Sequence, residues 1–352
     1  MHMNFYDILF ARATANNADP QTVAAIAAAI SAKGGIVAEG DGLAQFPGDI
    51  YTIPPIAMDD YNTIAEIVRA GKAPDVFHIG DQISTTYTDT AGNEYEMPWD
   101  IVAFRDVTLE SGDIVPGMII QSHYATVEEI QFDAAEPERP ASADYNGQIA
   151  QYGWNRYKNS AHRQWLNSLA LAGNWWAAQN EYDAAPTQAS TVNGFLHGLP
   201  AEFLAMLKPV RVETVRNYRD PDTAKSSSVY EYDTVYDTMW LPSREEEYIV
   251  ANEPNHREGT TWQYWINTLT PEATEKGEPL PQQTYASAEA THALSSHRRF
   301  PLNNKQGSAV VCRLRSANRY TSGNAWNVST SGSVSTSNAG NSYRSAPACA
   351  IC

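Results

Sequence analysis

Residues 316–343 read SANRYTSGNAWNVSTSGSVSTSNAGNSY. Ser, Asn, Thr and Gly dominate this stretch, but Trp326, Val328 and Val334 alternate with polar residues around Ser331–Gly332. Alternation with a period of two about a Gly-containing turn predicts a β-hairpin whose apolar members face the core. The same alternation predicts that four polar side chains face outward: Asn327, Ser329, Ser333 and Ser335.

The segments on either side of this hairpin look like strands. Val310-Val311-Cys312 precedes it, and Ala346-Pro347-Ala348-Cys349-Ala350-Ile351-Cys352 follows it. An ordered frame would then hold a surface rich in Tyr, Ser, Gly and Asn, the residues that antibody paratopes favour. The sequence therefore predicts a binding surface, and the alternative interpretation is a flexible low-complexity linker.

The C-terminal region also has its own charge pattern. From Ala290 to Cys352 there are seven basic residues and no Asp or Glu, whereas the first 289 residues carry 17 basic and 41 acidic residues, a net charge of −24. Basic residues near the hairpin, Arg313, Arg319 and Arg344, predict a basic rim that favours acidic partners. The net charge of −17 for the whole chain argues against nucleic acid as a partner.

Upstream of this region, helical and strand-like patterns are mixed, which predicts an α+β domain. Helices are predicted over residues 61–71, 160–167 with Ser160 as N-cap, and 201–207, and Ser243 with Glu246 forms a capping box. Glu245, Glu246 and Glu247 are expected to be solvated in a first helical turn. Strands are predicted at 76–79, 99–104, 118–121 and 130–132.

The 352 residues are enough for about two domains. An Ala-rich helical pattern between Gln21 and Ile30 is too small to be stable alone, and Ile53-Pro54-Pro55 is typical of a linker. We therefore predict a unit over 1–54 for attachment or oligomerisation and a second domain over 55–352. The N-terminus lacks the pattern of a signal peptide, no apolar run could span a membrane, and three cysteines are too few for a disulfide framework.

Several short motifs together carry a family resemblance. Cys312-Arg313-Leu314-Arg315-Ser316, Ala325-Trp326-Asn327-Val328 and Ala346-Pro347-Ala348-Cys349-Ala350-Ile351 resemble the closing segment of a C-type-lectin-fold family of gut bacteria, prophages and bacteriophages. Upstream motifs are similar too, notably Tyr152-Gly153-Trp154-Asn155-Arg156 and Trp240-Leu241-Pro242-Ser243-Arg244. The resemblance spans about 73–352, and the family's usual GVRP or GFRP ending appears here as Tyr343-Arg344-Ser345-Ala346-Pro347.

The Asn- and Ser-rich end further resembles the variable region of proteins diversified by retroelements. In that family, adenine-directed mutagenesis converts Asn codons into many others on a C-type-lectin scaffold, and the variable protein binds ligands, often as a phage receptor-binding protein. The resemblance implies a C-type-lectin-like fold, a virion (phage tail-associated) or bacterial-surface location, and a partner that is a protein or glycan on a host or target cell. It implies a variable region over about 313–348 with these ligand-binding positions: Arg313, Asn318, Tyr320, Ser322, Asn324, Asn327, Ser329, Ser333, Ser335, Ser337, Asn338, Asn341, Tyr343 and Ser345.

No catalytic, metal or cofactor site is predicted. Glu253-Pro254-Asn255 matches a tripeptide of sugar-binding lectins, but the Trp-Asn-Asp motif that should follow is not there. The pair Cys349 and Cys352 lacks a second CxxC and is expected to be buried, and His292 and His297 are spaced wrongly for one helical face. Two alternatives stay open: an enzyme on the same scaffold with a pocket near His162, His197 and Trp240, and a virion structural protein without diversification.

Overall fold

The computed structural model describes residues 57–247, 257–265 and 298–352. Contacts between Cα atoms divide the chain into two units, residues 1–78 and 79–352. The predicted N-terminal unit (1–54), with its Ala-rich helix, and the residues Glu253–Asn255, His292 and His297 lie outside the described residues. The domain boundary after residue 54 therefore stays a prediction.

The described part of the first unit is helical. Helix α1 spans Tyr61–Arg69 and α2 spans Ala73–Val76. In α1 the residues Ile64, Ile67 and Val68 are buried, as the spacing predicted, and Asp60 caps the N-terminus by accepting a hydrogen bond from the Thr63 amide at 3.2 Å. The strand predicted at 76–79 is wrong, because Pro74 near the start of α2 favours a helical first turn instead.

The second unit is α+β, with several small antiparallel sheets and short helices. Its strands are β1 (Gln82–Ile83), β2 (Thr86–Thr88), β3 (Glu94–Glu96), β4 (Trp99–Thr108), β5 (Ile114–Ser122), β6 (Ile130–Gln131), β7 (Val210–Val215), β8 (Tyr232–Asp237), β9 (Met239–Trp240), β10 (Cys312–Ala317), β11 (Asn324–Val328), β12 (Val334–Asn338), β13 (Ser342–Tyr343) and β14 (Ala348–Ile351). Its α-helices are α3 (Gln148–Tyr152), α4 (Ala161–Leu166), α5 (Ala201–Ala205) and α6 (Arg244–Glu247). In the described ranges, no helix has the length and apolar character needed to cross a membrane.

The largest sheet has the order β1-β4-β5-β14-β9. Its strand β14, at the C-terminal end of the chain, pairs with β5 on one side and with β9 on the other. All four residues of β14 are buried, Cys349 among them, and so is Cys352. Both cysteines have free thiols. The apolar segment after the hairpin is therefore a core strand, which explains its continuous run of small apolar residues.

Three local signals from the sequence are confirmed. Ser160 caps α4 by accepting a hydrogen bond from the Arg163 amide at 3.2 Å. Ser243 and Glu246 form the predicted capping box, with a 3.0 Å hydrogen bond in each direction. The helix predicted at 201–207 is α5.

The predicted solvation of Glu245, Glu246 and Glu247 is wrong, because all three side chains are buried. Glu246 forms an ion pair with buried Arg315, and Glu247 accepts a hydrogen bond from the Gln121 side chain at 2.5 Å. These partners lie 69 and 126 residues away in the sequence, so local charge patterning could not reveal them.

Candidate functional site

The Asn- and Ser-rich stretch forms the predicted hairpin, not a linker. Strands β11 and β12 pair antiparallel, with Asn327 opposite Ser335 and Val328 opposite Val334. The turn closes through hydrogen bonds from the Ser329 amide to the Ser333 carbonyl at 2.8 Å and from the Gly332 amide to the Ser329 carbonyl at 2.9 Å. Gly332 has φ of +87°, a conformation that favours glycine.

One face of the hairpin is apolar, as predicted. Val328 packs in a core cluster with Cys312, Leu314 and Ala125, and Trp326 and Val334 pack against that cluster while only partly buried. Antiparallel register places the half-buried Asn324 and Asn338 on the same face as Trp326, because they are paired with each other two residues away from it.

The expectation that Asn327 faces solvent is wrong. Its side chain is 1% exposed and donates a hydrogen bond to Ser337 Oγ at 3.0 Å. The reason is that β11 is the central strand of the sheet β10-β11-β12, and side chains fill this face of the sheet too. Arg313 lies directly opposite Asn327 on β10, and its guanidinium is 4.7 Å from the ring centroid of Tyr343. Both faces of this part of β11 are therefore packed.

Arg313, predicted to contact ligand, belongs to the frame instead. It is fully buried and donates hydrogen bonds to the backbone carbonyls of Ala325 (3.2 Å), Ser337 (3.2 Å), Asn338 (3.0 Å) and Asn341 (3.3 Å). Burial lowers the pKa of Arg313 to about 9, so the side chain remains a cation at neutral pH. A ligand at the surface does not reach it.

The predicted basic rim is also wrong. Arg319 is 7% exposed and donates to the carbonyls of Ser227 (3.1 Å) and Val229 (2.7 Å), with its guanidinium 3.5 Å from the Tyr230 ring centroid. Arg344 donates to the Thr126 carbonyl at 2.8 Å and pairs with Glu129 at 3.3 Å. These guanidinium groups satisfy internal acceptors, so they do not form a basic surface.

The predicted ligand-binding residues fall into two groups. Buried positions are Arg313, Ser322, Asn327 and Ser345. Exposed or half-buried positions are Asn318, Tyr320, Asn324, Ser329, Ser333, Ser335, Ser337, Asn338, Asn341 and Tyr343. We call this second group the display surface.

The loop between β10 and β11 supplies the most accessible aromatic side chain of the display surface. Tyr320 is 59% exposed, and its ring meets Tyr218 edge to face at 5.8 Å. Beside it is a cleft of about 50 Å³ that Asn318 and Trp326 also line, with Arg244 over the Trp326 ring at 4.8 Å. Sequence reasoning identified Tyr320 but missed Tyr218 and Arg244, because they lie far away in the chain.

Two buried carboxyl groups, Glu245 and Glu258, lie beneath this cleft. Burial, together with the charge of Glu245 and a hydrogen bond with it, raises the pKa of Glu258 to about 8. Glu258 accepts hydrogen bonds from the Val215 amide and from Ser316 Oγ, both at 2.7 Å. The pair therefore holds a proton at neutral pH and anchors β10 to β7.

The three residues of the enzyme alternative do not converge. Trp240 lines a cavity of about 460 Å³ beside β4 and β7, and neither His162 nor His197 is among the described residues that line it. His162 is fully buried, and burial lowers its pKa to about 3, whereas His197 is exposed. His162 is therefore a neutral core residue.

Among the described residues, one group of carboxylates has the proximity that a metal ion requires. One oxygen each of Asp133, Glu136 and Asp183 lies within 4.8 Å of the others. Asp133 lies two residues after the end of β6, which pairs with β13 of the C-terminal region. This group lies outside the set predicted from the sequence.

Comparison with known proteins identifies a family. A family model described as a domain of unknown function, DUF6273, matches residues 120–351, which is well over half of the chain. The chain belongs to this family. No curated protein and no solved structure matches it. The DUF6273 span begins near the end of β5 and ends with β14, so it contains the display surface and the strands β9 and β14 of the largest sheet.

Proposed function

We propose that this DUF6273 protein adopts a C-type-lectin-like fold and binds a protein or glycan ligand through the display surface, whose side chains a retroelement diversifies. The observation that carries the proposal is how the surface is held. Buried side chains donate hydrogen bonds to its main-chain carbonyl groups, which every residue type supplies. Ser337 differs, because its Oγ also accepts a hydrogen bond from buried Asn327.

Arg313 is the first of these holding residues, because all four of its acceptors in the described part of the chain are backbone carbonyls. Three of those carbonyls belong to the display positions Ser337, Asn338 and Asn341. Substitution at these positions changes the displayed side chain and leaves the carbonyl acceptor in place.

Asn155 and Asn217 hold the loop that carries Tyr320 in the same way. The amide nitrogen of Asn155, a residue 0% exposed, donates to the carbonyls of Asn318 (3.0 Å), Thr321 (2.9 Å) and Asn324 (2.6 Å). Asn217 Nδ2 also donates to the Asn318 carbonyl, at 2.5 Å. The loop is thus fixed from below while its Tyr and Asn side chains remain available.

The composition of the display surface supports ligand binding over catalysis. Tyr320 offers a rigid aromatic side chain at low cost in conformational entropy, and the surrounding Ser and Asn residues offer adaptable hydrogen bonds. Such surfaces recognise macromolecules, with a few aromatic residues contributing most of the binding free energy. A ligand on a host or target cell surface fits this chemistry, with the protein carried on a virion or on a bacterial surface.

Deep sequencing of the 3′ end of the gene in a natural population tests diversification. Every Asn codon begins with two adenines, so adenine-directed mutagenesis should produce substitutions at Asn318, Asn324, Asn338 and Asn341. Buried Asn327 should stay constant among functional copies, because its side chain is packed. An equal substitution rate inside and outside codons 313–348 would rule out diversification and leave the alternative of an undiversified structural protein.

A further inference from the structure

The cluster of Asp133, Glu136 and Asp183 is independent of the display surface and of the function proposed for it. One carboxylate oxygen from each lies within 4.8 Å of the others. Asp133 is 2% exposed, Glu136 is 0% exposed and Asp183 is half-buried. Like charges this close together and out of water repel strongly unless something neutralises them.

Two oxygens of the cluster have no donor. Asp133 Oδ1 and Asp183 Oδ1 are inaccessible to solvent, and no hydrogen-bond donor reaches either of them in the part of the chain that the structure describes. Buried acceptors in native proteins are almost always satisfied, and an unsatisfied one signals an ion or water. The remaining oxygens are occupied. Those of Glu136 accept from Arg139 and Asn180, Asp183 Oδ2 accepts from the Gln179 amide at 2.7 Å, and backbone amides of Trp154 and Ala161 donate to the Asp133 carboxylate.

The charges of the cluster leave a deficit of two. Arg139 forms a buried ion pair with Glu136, so three carboxylates face one guanidinium group. The Arg139 side chain is itself held between the rings of Trp154, 4.9 Å away, and Tyr182, 5.4 Å away.

We propose that Asp133, Glu136 and Asp183 bind a divalent cation, and that the cation is Ca²⁺. The charge of the ion matches the deficit of the cluster, and the donor set consists of carboxylate oxygens alone. Oxygen-only sets select hard cations over Zn²⁺, which prefers nitrogen and sulfur ligands. Ca²⁺ accepts flexible coordination from loops, whereas Mg²⁺ requires a nearly ideal octahedron.

A cation here ties together two segments that both bond to the C-terminal region, one with Asp133 and Glu136 and the other with Asp183. Asp133 follows β6 and its amide donates to the Ala339 carbonyl at 3.2 Å. Asp183 belongs to a loop whose Gln188 donates to Ser342 Oγ at 2.8 Å. The bound ion would therefore brace the base of the hairpin without touching the display side chains.

The test is calorimetric titration of the full chain, stripped with a chelator, with Ca²⁺, Mg²⁺, Mn²⁺ and Zn²⁺ separately, alongside thermal unfolding with and without each ion. We expect one Ca²⁺ per chain and an increase of several degrees in the melting temperature, since an ion that binds only the folded state stabilises it. Hydrogen exchange at residues 179–188 and 339–342 should slow when Ca²⁺ is added.

The variant Asp133→Asn removes one ligand and also one buried charge. It should bind Ca²⁺ at least about tenfold more weakly, yet in chelator it should melt no lower than the wild type, because repulsion within the cluster is relieved. Glu138→Gln is the matched control, since Glu138 is an exposed carboxylate in the same loop, and it should bind Ca²⁺ like the wild type.

Three results would overturn the proposal. The first is a wild type that gives no heat and no thermal shift with any of the four ions, which would mean that the cluster holds a proton instead. The second is Ca²⁺ binding that Asp133→Asn leaves unchanged, which would locate the ion elsewhere. The third is tighter binding of Zn²⁺ than of Ca²⁺. None of these results bears on ligand binding by the display surface, so the two proposals fail separately.

Discussion

Arg313 lies in the segment predicted to bind ligand, yet its side chain stabilises the backbone of that segment. Replacing it with Met would remove a donor from four backbone carbonyls, of which that of Asn338 keeps the Asn341 amide at 3.1 Å. Unsatisfied buried acceptors cost about 1–3 kcal/mol each. We expect Arg313→Met to lower the free energy of unfolding by at least about 3 kcal/mol in urea titrations. Arg257→Met, at a side chain 62% exposed, is the control and should cost less than about 1 kcal/mol. Similar losses in the two variants would refute the structural role of Arg313.

The raised pKa of Glu258 should make the stability of the folded protein depend on pH. Its pKa in the folded state is about 8, above the ordinary value of 4.5, so the folded protein binds a proton that the unfolded chain releases over that range. Its contribution to stability is therefore complete below about pH 4.5 and is lost as the pH rises to about 8, by up to about 1.4 kcal/mol per pH unit.

The variant Glu258→Gln mimics the protonated acid and removes this titration. Urea unfolding at pH 5, 6, 7 and 8 should show the variant gaining stability relative to the wild type as the pH increases. Parallel pH profiles for the two proteins would mean that Glu258 titrates normally in the folded state.

At the scale of residues, the sequence predicted exposure correctly in loops and turns but not at every position within the strands. Tyr320 and Asn341 are exposed as expected, because a polar loop and a turn carry them. Asn327 and Arg313 are buried because β10 pairs beside the hairpin in the same sheet and the ring of Tyr343 packs over the Arg313 guanidinium. Alternation within one strand cannot reveal what packs on either side of it.

The hairpin of β11 and β12 allows a matched comparison, since Ser335 and Asn327 lie directly opposite each other. Ser335 is exposed, so Ser335→Tyr should change the free energy of unfolding by less than about 0.5 kcal/mol. Asn327→Tyr inserts the same side chain into a packed site and should cost about 2 kcal/mol or more. Chemical denaturation of both variants checks this, and equal effects would contradict the difference in burial between the two positions.

At the scale of elements, local signals succeeded where the physics is local. The caps at Ser160 and Ser243 depend on groups three residues away, and the hairpin depends on a Gly turn between short alternating strands. The prediction that the acidic turn of α6 is solvated was wrong, because its burial depends on the distant residues Arg315 and Gln121. The Asp133 cluster was missed for the same reason, since Asp183 is 50 residues from Asp133 in the sequence.

At the scale of the whole molecule, the uneven charge distribution has a structural explanation. Basic residues of the acid-free C-terminal region pair with acidic residues upstream: Arg315 with Glu246, and Arg344 with Glu129. Arg299, only 6% exposed, lies 3.8 Å from Asp100. The excess of basic residues in this region therefore reflects ion pairs with acidic residues in the rest of its unit. Composition alone had suggested that these basic residues lie at the surface.

The N-terminal residues 1–54 carry a separate prediction about assembly. Their Ala-rich pattern is too small to be stable alone, which favours association with other copies. We expect deletion of residues 1–54 to leave a folded protein with fewer subunits per particle, measured by light scattering. The same number of subunits per particle before and after deletion would exclude a role of these residues in self-association.

The central claim is that the display surface recognises a ligand, and binding to a panel of bacterial cell-surface extracts and glycans tests it most directly. The wild type would be compared with Tyr320→Ala and with Ile114→Ala, a control that truncates a side chain 70% exposed at the start of β5. We predict that Tyr320→Ala weakens binding by about 2 kcal/mol, roughly 30-fold, while Ile114→Ala binds as the wild type does. Equal binding by all three proteins, or no binding of the wild type to any member of the panel, would contradict the account.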